Sequence, residues 1–72
     1  MYKVFFKTKD NMIICECNTI SYSYNDSYVY LVDNDEIVYR CFLNEAEATS
    51  YLVSGIKNGY IYFNDKIFEV AH

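Results

Sequence analysis

Leu43-Asn44-Glu45-Ala46-Glu47-Ala48-Thr49-Ser50-Tyr51-Leu52-Val53-Ser54-Gly55-Ile56 decides the fold class, because it is the one stretch of the chain that reads as a helix. Asn44 is an N-cap, since its side-chain oxygen can accept a hydrogen bond from a free backbone N–H of the first turn. Glu47, three residues on, completes a capping-box pattern with Asn in place of Ser or Thr. Glu45 and Glu47 put negative charge in the first turn, where the helix dipole favours it. At the other end Gly55 is expected to take a left-handed C-cap conformation, with Ile56 folding back onto Tyr51. The spacing predicts a helix over about 45–54. A helix this short is marginal alone, so it must dock, and Ala48, Tyr51, Leu52 and Gly55 form its docking stripe.

Everything outside that segment reads as strand. Pairs of Asn and Asp, which tolerate the positive φ of hairpin turns, divide the sequence. Tyr2 to Lys9 is a strand, Asp10-Asn11 a turn, and a second strand starts at Met12. A two-residue loop pairs Lys9 with Met12, Phe6 with Cys15 and Val4 with Cys17. Val4, Phe6, Ile13, Cys15 and Cys17 then share an apolar face, and Lys3, Lys7, Lys9, Glu16 and Asn18 share a polar one. Alternation resumes at Ile20–Tyr24, either as an extension of strand two past Asn18 or as a separate strand. Asn25-Asp26-Ser27 turns the chain into Tyr28–Asp33, and Asn34-Asp35 turns it into Glu36–Phe42. That hairpin is apolar on both sides. Tyr28, Tyr30, Val32, Ile37, Tyr39 and Cys41 fall on one face, and Val29, Leu31, Val38 and Phe42 on the other with Arg40 among them. It must be sandwiched or present one side to a partner. After the helix, Asn58-Gly59 marks a turn, and Tyr60–Phe63 and Lys66–Val70 are predicted to form a last hairpin around Asn64-Asp65. Ile61, Phe63, Phe68 and Val70 take one of its faces, and Tyr60, Tyr62, Ile67 and Glu69 the other. The expected fold is α+β, β-β-β-β-α-β-β, an antiparallel sheet or small open barrel in a single compact domain over 1–72.

Composition narrows the function classes. With 72 residues, 53% of them hydrophobic, the chain can build one core with a thin margin, which makes a homodimer the natural expectation. No run approaches a membrane span, and Met1–Lys7 is too short and charged for a signal peptide, so a cytoplasmic protein is expected. The odd count of three cysteines is no disulfide framework, and all are read as reduced thiols. Cys15, Cys17, Cys41 and His72 could supply four ligands by type, but C-x-C is not a zinc spacing, and period two puts Cys15 and Cys17 in the core. Neither metal nor cofactor is expected. The single histidine is terminal, so no Ser or Cys dyad with His can be assigned and only Lys or carboxylate bases are left; the two glycines make no phosphate loop, and the chain reads as no enzyme.

Two features remain. From Asp10 to Ile56 there are eight acids and one base, a net charge of −7. This argues against direct nucleic-acid binding and for a basic protein partner. Tyrosines recur at alternate strand positions, and tyrosine brings large contact area and a polar handle to interfaces. The candidate partner-binding set is Tyr22, Tyr24, Asp26, Tyr28, Tyr30, Asp33, Asp35, Glu36 and Tyr39. In size, acidity and lack of catalytic residues the chain is similar to phage-borne inhibitors of host nucleic-acid enzymes, among them anti-CRISPR proteins and glycosylase inhibitors. That likeness of composition implies a non-catalytic inhibitor in the host cytoplasm, mimicking DNA in a basic groove of a nucleic-acid-associated protein. The alternative is a structural or assembly subunit whose tyrosine face joins copies of itself. A third reading, single-stranded nucleic-acid binding through Lys3, Phe5, Lys7 and Lys9, is opposed by the acidic middle.

Overall fold

Strands β1 (Tyr2–Lys7) and β2 (Met12–Cys17) form an antiparallel hairpin in a computed structural model, which describes residues 1–71 save the side chain of Asn64. The chain then crosses to a second sheet made of β3 (Thr19–Ser23), β4 (Tyr28–Asp33) and β5 (Glu36–Phe42). Helix α1 (Glu45–Ser54) follows, and β6 (Ile56–Lys57) and β7 (Tyr60–Ile67) return to the first sheet. The short β8 (Glu69–Val70) ends on the second. The sheet orders are β2-β1-β7-β6 and β3-β4-β5-β8, so the fold is α+β and mostly antiparallel. The exception is β1 with β7, which run parallel.

The core lies between the sheets. Val4, Phe6, Ile61 and Phe63 from the first and Val29, Leu31 and Cys41 from the second are buried, together with Cys17, Leu43, Ala48 and Phe68. Phe6 is central. Its ring lies 4.8 Å from Tyr39 of the opposite sheet and 4.6 Å from Phe68. Cys17 and Phe68 sit where the chain passes from one sheet to the other, and both are fully buried, so each corner is fixed by a side chain driven into the core.

The first hairpin differs from its predicted register by two residues. Lys7, not Lys9, faces Met12, and Val4 faces Cys15. Thr8 is the cause. Its backbone N–H donates to the Asn11 carbonyl at 2.8 Å, and its hydroxyl accepts from the N–H of Asn11 at 3.2 Å, giving a four-residue loop. A shift of two leaves the faces unchanged, so Val4, Phe6, Ile13, Cys15 and Cys17 still face inward.

The second hairpin keeps its predicted strands and turn. Asn34 and Asp35 have φ of 51° and 62°, as a two-residue hairpin turn requires. A bulge at Val38 on β5, opposite the step from Leu31 to Val32, then changes the parity. Tyr39 and Cys41 join the core face with Leu31 and Val29, and Arg40 and Phe42 move outward beside Tyr30 and Tyr28. The predicted grouping of Tyr39 and Cys41 with Tyr28 and Tyr30 is therefore corrected. A straight ladder would have placed the Arg40 guanidinium in the core without a partner, at a cost of several kcal/mol.

The helix is capped as predicted. Asn44 accepts from the Glu47 N–H at 2.8 Å, and its side-chain amide donates to the Glu47 carboxylate at 3.1 Å. Ala48 is buried, and Tyr51 and Leu52 pack against the core. Gly55, however, is right-handed, with φ −84° and ψ 0°, and Ile56 continues into β6 opposite Ile61. No hairpin forms around Asn64-Asp65. Phe6 faces Phe63 and the next residue, Lys7, faces Ile67, so residues 64–66 bulge from a continuous β7. Lys66 pairs with Glu47, which ties that bulge to the helix. Burial of Phe68 then carries the chain to β5, where Glu69 meets Arg40. Ile61, Phe63 and Phe68 are core as expected, whereas Val70 is exposed.

Candidate binding face on the second sheet

The parity change at Val38 assembles an aromatic surface on the outside of the second sheet. β4 contributes Tyr28 and Tyr30, and β5 sets Phe42 beside Tyr28 and Arg40 beside Tyr30. The rings of Tyr28 and Tyr30 stack at 5.8 Å, and Phe42 meets Tyr28 edge-on at 5.6 Å. The Arg40 guanidinium lies 5.1 Å from the Tyr28 ring centre. From β8, Glu69 accepts a 2.7 Å bond from Arg40 Nε, so this cation is both stacked and paired. Tyr28 is the ring that Tyr30, Arg40 and Phe42 all meet, and Phe42, at the end of the ladder beside it, stays 68% exposed.

Asp26 closes one end of the face. Its carboxylate accepts a 2.8 Å bond from the Tyr30 hydroxyl. Hydrogen bonds from Ser23 and Tyr30 hold its carboxyl below the usual range, and the same contact raises the Tyr30 phenol. Asp33, Asp35 and Glu36 lie at the far end of β4, some five residues from Tyr28, or roughly 17 Å at strand rise. Asp26 thus borders the face, whereas Asp33, paired with Glu36, follows the inward parity of Val29 and Leu31 at the hairpin tip.

The structure brings together Tyr28, Tyr30 and Asp26 from the predicted set and separates the rest. Tyr39 packs on Phe6 in the core. Tyr22 is half-buried, with its hydroxyl donating to the Leu43 carbonyl at 2.9 Å, and serves the fold. Tyr24 is exposed and meets Tyr22 edge-on at 5.1 Å. Phe42, Arg40 and Glu69 are the members that sequence reasoning missed. Arg40 carried the available signal, because a charge between Tyr39 and Cys41 marks an outward position and brings Phe42 out with it.

Among the described residues no three His, Cys, Asp or Glu side chains converge as metal ligands; His72, named as a candidate ligand, lies outside them. All three cysteines are free, and burial pushes each thiol up, Cys41 to about 11. No helix of the described residues is long and apolar enough to cross a membrane. A cleft of about 680 Å³ adjoins the aromatic face, between the 8–11 loop and β5 and β8, with Ile13, Arg40, Cys41 and Phe68 in its wall. Compared with known proteins, the chain matches no family model, no curated protein and no solved structure.

Proposed function

We propose that the protein is a non-catalytic binding module that seats a basic protein surface on the outer face of its second sheet. The observation that carries this reading is the cluster around Tyr28, whose ring meets Tyr30, Arg40 and the exposed Phe42. Tyrosine and arginine are the residue types that dominate binding energy at interfaces, most of all where a rim excludes water from them. Glu69 neutralises Arg40, so the charge left is that of Asp26 beside Tyr30 and of Asp33, Asp35 and Glu36 at the tip of the β4–β5 hairpin, which complements a basic partner. The finer reading is an inhibitor of a nucleic-acid-associated protein, whose basic groove would offer that complement. The same exposed aromatic group also fits a second copy of the chain, which makes self-association the second reading.

The test is affinity capture from nuclease-treated bacterial lysate with the wild type and with Phe42→Asp. A specific basic partner retained by the wild type and lost by Phe42→Asp supports the proposal. Equal retention by both places binding elsewhere and overturns it.

A further inference from the structure

The parallel pairing of β1 with β7 joins residues from the two ends of the chain on the outer face of the first sheet. Tyr60 faces Lys3 and Tyr62 faces Phe5. On the other side of Tyr60, β6 sets Lys57. Tyr60 is therefore flanked by two lysines, and Lys3 Nζ lies 5.6 Å from its ring centre. The rings continue as a row, with Tyr60 and Tyr62 at 6.2 Å and Phe5 and Tyr62 at 5.3 Å. Lys7 follows Phe5 on the same face, opposite Met12.

Charge is partitioned between the two outer faces. Among the described residues the ion pairs are Arg40–Glu69 and Lys66–Glu47, and neither involves Lys3, Lys7 or Lys57. Glu16, opposite Lys3, is the one acid that the strand registers place on this face. The acids that make the middle of the chain so negative lie mainly on the second sheet, its turns and the helix.

We propose that this face binds a single-stranded polynucleotide, with bases stacked on Tyr60, Tyr62 and Phe5 and phosphates held by Lys3, Lys7 and Lys57. A row of aromatic rings bordered by cations is what sequence-tolerant single-strand binding requires, since every base has a π-face and every nucleotide a phosphate. A duplex hides its base faces and cannot use the rings. Base stacking and phosphate contact are common to DNA and RNA, so strands of both bind alike. The proposal is independent of the second sheet, and the two faces can be tested separately.

The experiment is fluorescence anisotropy of a dye-labelled oligothymidylate of about twelve nucleotides, within the usual site sizes, at salt from about 50 to 200 mM. Three lysine–phosphate contacts predict a log–log salt slope of about −2. Lys3→Glu with Lys57→Glu should weaken binding at least tenfold and flatten that slope, and Tyr60→Ala should weaken it about tenfold. Both lysines are exposed, so the charge variants should keep the melting temperature of the wild type. Phe42→Asp should bind as the wild type does, oligouridylate should match oligothymidylate, and a duplex of the same length should bind at least tenfold more weakly. Binding that is absent at the lowest salt, unchanged by the lysine pair, or equal for duplex and single strand overturns the proposal.

Discussion

A Cβ added to Gly55 would stand 2.5 Å from the carbonyl oxygen of Tyr51 and 3.2 Å from that of Tyr62. The same backbone groups are tied together. Gly55 donates to the Tyr51 carbonyl at 2.9 Å, and its own carbonyl accepts from Tyr62 at 3.0 Å. Glycine is thus required chiefly by the Tyr51 carbonyl at the helix end, with that of Tyr62 on β7 adding a tight contact, and its φ of −84° is one that alanine adopts freely. Conformational entropy alone would favour Gly55→Ala by about 0.4–1 kcal/mol. The clash reverses that sign, and a net loss of about 1–2 kcal/mol is expected in urea unfolding. A neutral or stabilising Gly55→Ala would show that the helix end is not so constrained.

The N-terminal cap gives a second stability prediction. Asn44→Ala removes the acceptor for the Glu47 N–H and should cost about 1 kcal/mol. Asn44→Ser keeps an acceptor and should recover most of the loss. If the two variants unfold at the same denaturant concentration, the cap contributes nothing that serine can replace.

Strands and turns were readable because they are local. Asn34-Asp35, Asn44 and Asn58-Gly59 each act within a few residues, and each does what its chemistry implies. Pairings set by tertiary packing were not readable. Nothing near Lys3 or Tyr60 announces that they lie side by side in a parallel ladder, because both strands alternate in the same way whatever their neighbour. Asn64-Asp65 resembles Asn34-Asp35 in composition, yet burial of Phe68 and the Lys66–Glu47 pair keep β7 running and send β8 across to β5. Of the candidate site, Asp26, Tyr28 and Tyr30 were legible as alternating residues beside a turn. Phe42 was placed on the wrong face by a single bulge.

Cys41 makes the stability dependent on alkaline pH. Burial raises its thiol from 9.0 to about 11. As pH rises past 9 the unfolded chain releases this proton first, so the stability it contributes is complete below pH 9 and lost by about pH 11. Tyr30, raised by Asp26, acts in the same direction in any cysteine variant. The difference between the wild type and Cys41→Ala isolates the thiol, and the wild type should lose more stability over that interval. Parallel curves for the two proteins would remove Cys41 as the cause. At pH 8 a thiol reagent should label half-buried Cys15 well before Cys17 and Cys41, which should react at the rate of unfolding.

Self-association is tested by the most exposed residue of the aromatic face. If a second copy covers Phe42, sedimentation at high micromolar concentration should give a dimer, and Phe42→Asp should give an 8.5 kDa monomer. Phe42 is already 68% exposed, so the substitution removes no core contact and the fold should persist. A wild type that sediments as a monomer leaves the face free for a foreign partner and sets the self-association reading aside.

The last prediction separates steering from anchoring on that face. Asp33, Asp35 and Glu36 cluster at one hairpin tip, roughly 17 Å along β4 from Tyr28 and Phe42. Charges at the edge of an interface act mainly before contact, raising the association rate in a way that salt screens. Neutralising the three to Asn, Asn and Gln should therefore slow association with a basic partner about tenfold at low salt and leave dissociation nearly unchanged. Exposed turn charges contribute little to stability, so the variant should fold. In the proposed reading Tyr28 and Phe42 touch the partner, so Tyr28→Ala or Phe42→Ala should instead speed dissociation, as truncated anchors do. Asp26 combines the two roles, because it also orients the Tyr30 hydroxyl. Asp26→Asn should affect both rates, and Tyr30→Phe should reproduce only the dissociation part. Kinetics against salt for these variants check the division directly. If the neutralised tip binds as fast as the wild type at every salt concentration, the acids do not steer, and a basic partner is no longer the one this face selects.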